Sequence, residues 1–462
     1  MSGFHIEHFG CRAARADGEA IAGQLRAGAE RQSLKVDVVV VNTCSVTAEA
    51  DRAARAYIRR THRRNPAAKI VVTGCYAQRA PHELAGMAGV AAVVGNSHKA
   101  LAPEIILGLA QSTPPAGFTP AFVPVRSLLA PHAPQSAPIW ADDRFAHSFL
   151  EDAPLLPGAQ TRPNLKIQEG CGNRCTFCVI PATRGPSRSL PRATVMRQIE
   201  AFVVSGGKEL VLSGINLGRW GRDFAGSQEE SLAGLARAIL EQTALPRLRL
   251  SSIEPMDWDS DLIALMREFG GDRLARHAHL PLQSGSDAVL RRMHRRYRPW
   301  HYADKVAALL RAVGPALTLG ADVMAGFPGE TDREFDETLE FVRTLPFGYL
   351  HLFPFSPRPG TRAWNLHAAS PAPQSAVDER MAALRALAAE KTLAHRRQFI
   401  GSNLTAITLN TPVEPAAKGR TAALTDNFLP VEIEGILPPN QLVHIRAGRL
   451  NPDGSVLGQT VA

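Results

Sequence analysis

Cys171, Cys175 and Cys178 stand in one short run, EGCGNRCTFCVIP, that follows an apolar, strand-like segment and ends at Pro181. Their C-x-x-x-C-x-x-C spacing demands a loop between a strand and a helix, with three thiols converging on one point. Iron–sulfur clusters are usually held by four cysteine thiolates. Three on one loop leave one iron open to another ligand, which suits a catalytic cluster. The other three of the six cysteines, Cys11, Cys44 and Cys75, are far apart, yet each closes a similar run: FGC, VVVVNTC and IVVTGC. The C-terminal strand ends of an open α/β sheet gather ligands in one crevice, so these three can form a second site. Two plainer readings stay open at this point. Structural zinc uses similar spacings, but the residues just after Cys178 offer no fourth Cys or His. Disulfides suit an oxidising compartment, but the tight triplet pairs poorly with itself.

The 462 residues divide by composition into several regimes. Residues 1–110 alternate apolar, strand-like runs (4–9, 36–41, 69–73) with helical stretches (17–27, 48–64), which predicts a small α/β domain with a parallel sheet. Residues 111–157 are rich in Pro, Ala and Ser and read as a surface linker. Residues 158–372 hold six strand–helix units, with strands at 165–168, 209–213, 247–253, 277–283, 317–324 and 349–355. Such a series predicts a barrel or partial (β/α)6 barrel, active at its strand C-termini. A connecting helix follows over 373–400. Residues 401–462 are β-rich and suggest a small, OB-like β-barrel.

The formal net charge of +9 favours a polyanionic partner such as nucleic acid. Arg52, Arg55, Arg59 and Arg63 form one helical stripe, and its two readings are a solvated face and a phosphate contact. Arg291, Arg292, Arg295, Arg296 and Arg298 make a second basic group, and Lys418, Arg420, Arg446 and Arg449 a third. No stretch approaches the ~18 uninterrupted apolar residues that suggest a membrane span. The start, MSGFHIEHFGC, lacks the pattern of a secretory signal. No membrane association and a cytoplasmic location are therefore expected.

The string CGNRCTFCVIPATRGPSRS, with Phe177 before the third cysteine, resembles the radical S-adenosylmethionine (SAM) superfamily, and within it the methylthiotransferases. NTCSVT (42–47), VVTGCYAQ (71–78), VLSGINLGRWG (211–221), LSSIEP (250–255), HLPLQSGSDAVLRRMHRRY (279–297), DVMAGFPGET (322–331) and TAALTDNFLPVEI (421–433) extend the resemblance over nearly all but the linker. It implies two 4Fe–4S clusters, one on Cys171, Cys175 and Cys178 and an auxiliary one on Cys11, Cys44 and Cys75. It implies SAM as radical source and as methyl donor. The open iron of the central cluster binds SAM, and one electron releases a 5′-deoxyadenosyl radical. Candidate SAM contacts are Phe177 beside the adenine, Gly206, Gly207 and Glu209 in SGGKEL, and Glu254 and Gln283 at strand ends. The C-terminal barrel resembles the RNA-binding TRAM domain. One departure stands out: Ala14 lies where the family usually has Asn three residues after the first cysteine, so a hydrogen bond near the auxiliary site is expected to be missing.

The resemblance is strongest to enzymes that methylthiolate C2 of N6-threonylcarbamoyladenosine at tRNA position 37. It implies a tRNA anticodon stem–loop, a sulfur donor and an electron donor such as flavodoxin or ferredoxin as partners. NTCSVT and RGPSRS favour this group over the sister enzymes for isopentenyladenosine. Arg12 after the first cysteine disfavours a third group, which modifies a ribosomal-protein aspartate. A non-catalytic RNA-binding iron–sulfur protein is the remaining alternative.

Overall fold

Two β-branched runs, VVVVNT and KIVVTG, are buried almost throughout, as strands inside a parallel sheet are. The computed structural model describes residues 3–29, 37–110, 136–147, 161–224 and 230–461. Its first sheet is all parallel, in the order β1 (Phe4–His8), β2 (Val38–Thr43), β3 (Lys69–Gly74), β4 (Val90–Gly95) and β5 (Ile139–Trp140). Helices Arg12–Ala29 and Ala102–Ala110 cover one face through Ile21, Leu25 and Ile106. Helix Ala48–Arg64 covers the other through Ala54 and Ile58. Thr47 caps that helix by accepting from Ala50 N at 3.2 Å, and acidic first-turn and basic last-turn residues match its dipole.

Sequence reasoning missed β4 and β5. The first, VAAVVG, has two alanines in its first half, which weakens its β signal. The second lies inside the expected 111–157 linker. Residues 111–135 and 148–157 of that segment fall outside the described residues, but 136–147 are built into the domain. Ile139 and Trp140 form an edge strand, where the neighbouring proline is tolerated, and Pro138 O accepts from Val93 N at 3.0 Å.

The next six parallel strands form two abutting sheets. One holds β6 (Asn164–Glu169), β8 (Glu209–Gly214) and β9 (Arg247–Leu250), with the short antiparallel β7 (Arg188–Ser189) at its edge. The other holds β10 (His277–His279), β11 (Thr318–Ala325) and β12 (Phe347–Pro354). Ala275 N to Leu248 O (2.9 Å) and Ile253 N to His279 O (3.0 Å) join them. Helices wrap the convex side over one continuous apolar core. The expected connecting helix, observed at Gln374–Arg397, belongs to this wrap: Val377, Met381, Leu384 and Leu387 enter the same core.

The C-terminal strands β13 (Asn403–Thr408), β14 (Arg420–Thr425), β15 (Pro430–Glu434), β16 (Leu442–Leu450) and β17 (Val456–Thr460) close into a barrel, in the order β13-β14-β15-β17-β16. It plugs the floor of the larger barrel, at the strand N-termini. Arg249 donates to Asp426 O (3.1 Å) and Thr425 O (3.0 Å), and Arg276 forks the Asp426 carboxylate at 2.6 and 3.1 Å. Phe428 stacks on His277 with 4.3 Å between centroids. Fully buried Glu209 accepts from Arg249 at 2.7 Å and from Arg247 at 3.3 Å. Removing one side of a buried ion pair costs about 3–5 kcal/mol. Glu209→Ala is expected to lower unfolding free energy by about that much and to speed proteolysis between the two barrels, measured by denaturant titration and limited digestion.

Candidate iron–sulfur and SAM site

The sheet order brings the first cysteine set together. Cys11, Cys44 and Cys75 follow three neighbouring parallel strands, so they share one edge although residues 33 and 31 positions apart carry them. Gly10 makes the closest approach possible: at φ +106° its missing Cβ would lie 2.2 Å from Cys44 Cβ. Cys44 and Cys75 are buried and Cys11 is exposed. Burial, with Cys11 and Cys75 alongside, pushes the Cys44 thiol up to about 12. N–H groups point at the sulfurs: Val46 N to Cys44 Sγ (3.5 Å), and both Asn96 Nδ2 and Arg184 Nε to Cys75 Sγ (3.3 Å each). Ala14 offers no side-chain hydrogen bond near the site, and its backbone carbonyl accepts from Asn42 Nδ2.

Arg184 belongs to the barrel, directly after the central cysteine loop, and so reaches across to the first domain. Its Nη1 donates to Glu169 Oε1 (2.7 Å) and Asp17 Oδ2 (3.1 Å). Lys99 Nζ lies 2.5 Å from Asp17 Oδ2, and Lys166 pairs with both carboxylates. Burial alone would raise Asp17 and Glu169, but the three cations outweigh it and hold both carboxyls below their ordinary values. Asn96 Nδ2 ties the same junction to Thr183 O at 2.8 Å.

The central triplet follows β6 at the barrel rim. Cys171 Sγ faces Asn173 N (3.4 Å) and Asn216 Nδ2 (3.7 Å), and Cys175 Sγ faces Arg295 Nη1 (3.2 Å). Burial raises the Cys171 thiol and pushes Cys178 up to about 12. Glu254 holds Arg295 Nη2 at 2.5 Å and shares a cavity of about 380 Å³ with Cys175, Arg174 and Arg296. Gln283 takes φ +66° and bridges to β11, and its buried Oε1 has no hydrogen-bond partner among the described residues. The buried Asn216 Oδ1 is likewise unpartnered there. Three thiols, N–H donors aimed at sulfur and the orphaned Asn216 Oδ1 beside Cys171 fit a three-cysteine cluster with an open iron and a polar ligand.

Other expected contacts are corrected. Gly206, Gly207 and Glu209 precede or begin β8, at the opposite end of the barrel from the cysteines. Gly206 O accepts from Asn440 Nδ2 of the C-terminal barrel (3.0 Å), Gly207 packs on Phe202, and Glu209 is the floor ion pair. The rim end of β8 instead carries Gly214 and Asn216. Phe177 is half-buried and packs edge-to-face on Phe327 at 6.5 Å, against the apolar core, and its expected place beside the adenine stays a proposal. Asn216, Arg295 and Arg184 were missed; each sits in a quoted motif, but its partner lies about 45–120 residues away. Of the basic groups, Arg55 is engaged by Tyr76 Oη and by Glu83. Arg291, Arg292, Arg295 and Arg298 pair with Asp287, Glu334, Glu254 and Asp287. Arg52, Arg59, Arg63, Arg446 and Arg449 are exposed.

Residues 3–95 match the Uncharacterized protein family UPF0004, and residues 165–342 match the Radical SAM superfamily. The fold and the rim cysteines together define a radical SAM enzyme, which uses SAM and iron–sulfur chemistry. The threonylcarbamoyladenosine tRNA methylthiotransferase MtaB of Bacillus subtilis is 34% identical over 94% of this chain and 90% of its own length. Its namesake in Aquifex aeolicus is 31% identical over 95% and 98%. A tRNA-2-methylthio-N(6)-dimethylallyladenosine synthase of Acidothermus cellulolyticus is 32% identical over 97% and 84%. The chain belongs to the radical SAM methylthiotransferase family. Among solved structures, the radical SAM methyltransferase TsrM of Kitasatospora setae aligns with 73% of this chain and 67% of its own, at 16% identity and a TM-score of 0.48.

Because Gly10 has neither room for a Cβ nor a conformation that suits one, Gly10→Ala is expected to force Cys11 and Cys44 apart. Thiol labelling of the metal-free protein should then become faster at Cys44, with Cys178 unchanged. Equal labelling rates in variant and wild type would contradict the close packing.

Proposed function

We propose that this chain methylthiolates C2 of N6-threonylcarbamoyladenosine at position 37, beside the tRNA anticodon. The observation that carries this reading is the near-full-length likeness to threonylcarbamoyladenosine methylthiotransferases, which spans both cysteine sets. In this reading Cys171, Cys175 and Cys178 hold the cluster that binds SAM. Cys11, Cys44 and Cys75 hold an auxiliary cluster concerned with sulfur. When bound, these groups supply one-electron cleavage of SAM, hydrogen abstraction and sulfur for insertion, and a second SAM supplies the methyl group.

The chain's own residues set the conditions. Arg295 and Asn216 donate to the rim sulfurs and orient the loop. Gln283 Oε1 and Asn216 Oδ1 are free to meet polar groups of SAM, and Glu254 holds Arg295 against Cys175. Arg184 and Asn96 present N–H groups to Cys75 and fix the two cysteine sets relative to each other. The target base must be splayed out of its loop to enter the barrel. Arg52, Arg59, Arg63, Arg446 and Arg449 are the candidates for gripping the RNA backbone. The electron comes from a carrier such as flavodoxin or ferredoxin, a separate sulfur donor recharges the auxiliary site, and the cytoplasm, where tRNA resides, is the place of action.

Nucleoside mass spectrometry of tRNA from a deletion strain tests the substrate. Loss of 2-methylthio-N6-threonylcarbamoyladenosine, with the unthiolated nucleoside accumulating, is expected. Loss of the isopentenyl-derived methylthio nucleoside alone would instead support the dimethylallyl reading that the Acidothermus relative favours.

Two clusters should bring about eight irons per chain on anaerobic reconstitution. Replacing Cys171, Cys175 and Cys178 together by Ala should leave about half, still showing a cluster spectrum. Cys44→Ala should block sulfur insertion while SAM cleavage continues. Complete loss of iron from the triple variant would refute the two-cluster reading.

A further inference from the structure

The barrel lumen contains a polar layer that the chemistry above does not use. Strand alternation builds it. Along β10 and β11, Ala278, Ala321 and Val323 turn outward into the helix-covered core, so the alternate residues face the lumen. Gly320 leaves space for Tyr349, whose Cζ would lie 2.1 Å from a Cβ there. The Tyr349 hydroxyl thereby reaches between two rings, 2.8 Å from His277 Nε2 and 2.9 Å from His279 Nδ1. Phe428 closes the space beneath.

Above this floor, His279 Nε2 (3.2 Å) and His351 Nδ1 (3.3 Å) converge on one oxygen, Asp322 Oδ1. Asp322 and His351 are register partners on β11 and β12. The layer is open to solvent: the His351 side chain is 56% exposed and that of Asp322 24%. Both strands end three residues further on, at Ala325 and Pro354. That is about 10 Å at ~3.3 Å per residue, toward the end of the barrel that carries the cysteine loop. A group hanging from a base held at the rim would point down at this layer.

We propose that His279, Asp322 and His351 form the subsite that receives the side chain of the target adenosine and reads it as threonylcarbamoyl rather than isopentenyl. The inference rests on the substrate reading given under Proposed function. A threonylcarbamoyl group carries a hydroxyl that can donate to Asp322, and a carboxylate that can accept from His351. An isopentenyl group offers neither. Its entry would strip water from a carboxylate and an imidazole without replacing their hydrogen bonds. Sites built to hydrogen-bond a substrate reject analogues lacking the polar group far better than apolar pockets reject an added one. Burial would raise the Asp322 carboxyl, but hydrogen bonds from the two imidazoles outweigh it and keep the acceptor ionised.

Synthetic anticodon stem–loops bearing threonylcarbamoyladenosine, isopentenyladenosine or adenosine at the target position provide the test. For the reconstituted wild type, kcat/KM should be highest on the first RNA. His351→Phe and Asp322→Asn should each lower it there about tenfold or more, mostly through KM. Turnover of the isopentenyl RNA should hold or rise. His351→Gln, which keeps a donor, should recover part of the loss. Affinity for the adenosine RNA, iron content and substrate-free SAM cleavage should all stay at wild-type levels, which a merely structural role would not give. Equal losses on both modified RNAs, or no loss on the first, would overturn the subsite. A wild type that modifies only the isopentenyl RNA would overturn the substrate reading beneath it.

Discussion

Five buried charges decide how the two halves of this enzyme meet. Asp17 and Lys99 come from the first domain, and Lys166, Glu169 and Arg184 from the barrel. Burying so many charges is costly, and only mutual pairing with good geometry offsets it. The arrangement therefore tolerates one docking pose and penalises others. Three cations against two carboxylates leave one positive charge in surplus, and it abuts Cys75 Sγ through Arg184. The junction and the first cysteine set are thereby tied through one side chain. Because Asp17 and Glu169 sit below their ordinary values, their contribution is present above the usual carboxylate range. It is lost as pH falls through the lowered folded values.

The opposite end of the barrel is closed by a second set of buried ions. Glu209 pairs with Arg247 and Arg249, Arg249 also donates to the 425–429 turn, and Phe428 caps the stack at φ +64°. A non-glycine residue in that region carries strain, and it persists only where the surroundings enforce it. The two ends thus divide their labour. The rim carries thiols and orphaned polar atoms, while the floor is sealed by a domain whose Arg446 and Arg449 are exposed.

Much of this was legible in the chain because it is local. Helix 48–64, the strand series of the barrel and both cysteine sets follow from periodicity, β-branched runs and turn chemistry, each encoded within a few residues. The misreadings share a different origin. The resemblance made SGGKEL a candidate cofactor loop, yet it enters its strand at the N-terminal end, and parallel topology puts that end at the floor. The ion pairs of Arg55 and the 291–298 arginines stayed hidden because their acidic partners lie four to about forty residues away. The short strand Ile139–Trp140 has too few residues for any period to register.

The sequence by itself determined the chemistry available: three thiols at one loop, three more at strand ends, and the βα series that presents them. Those features depend on bonded neighbours and on short-range alternation, which a linear reading contains. Tertiary structure alone decided which distant groups share a dielectric environment. Arg184 meets Cys75 across 109 positions, Arg295 meets Cys175 across 120, and Asp322 gathers two imidazoles from neighbouring strands. Such contacts arise from how sheets order and where domains dock, and the energy of a buried charge depends on that placement rather than on its neighbours in the chain.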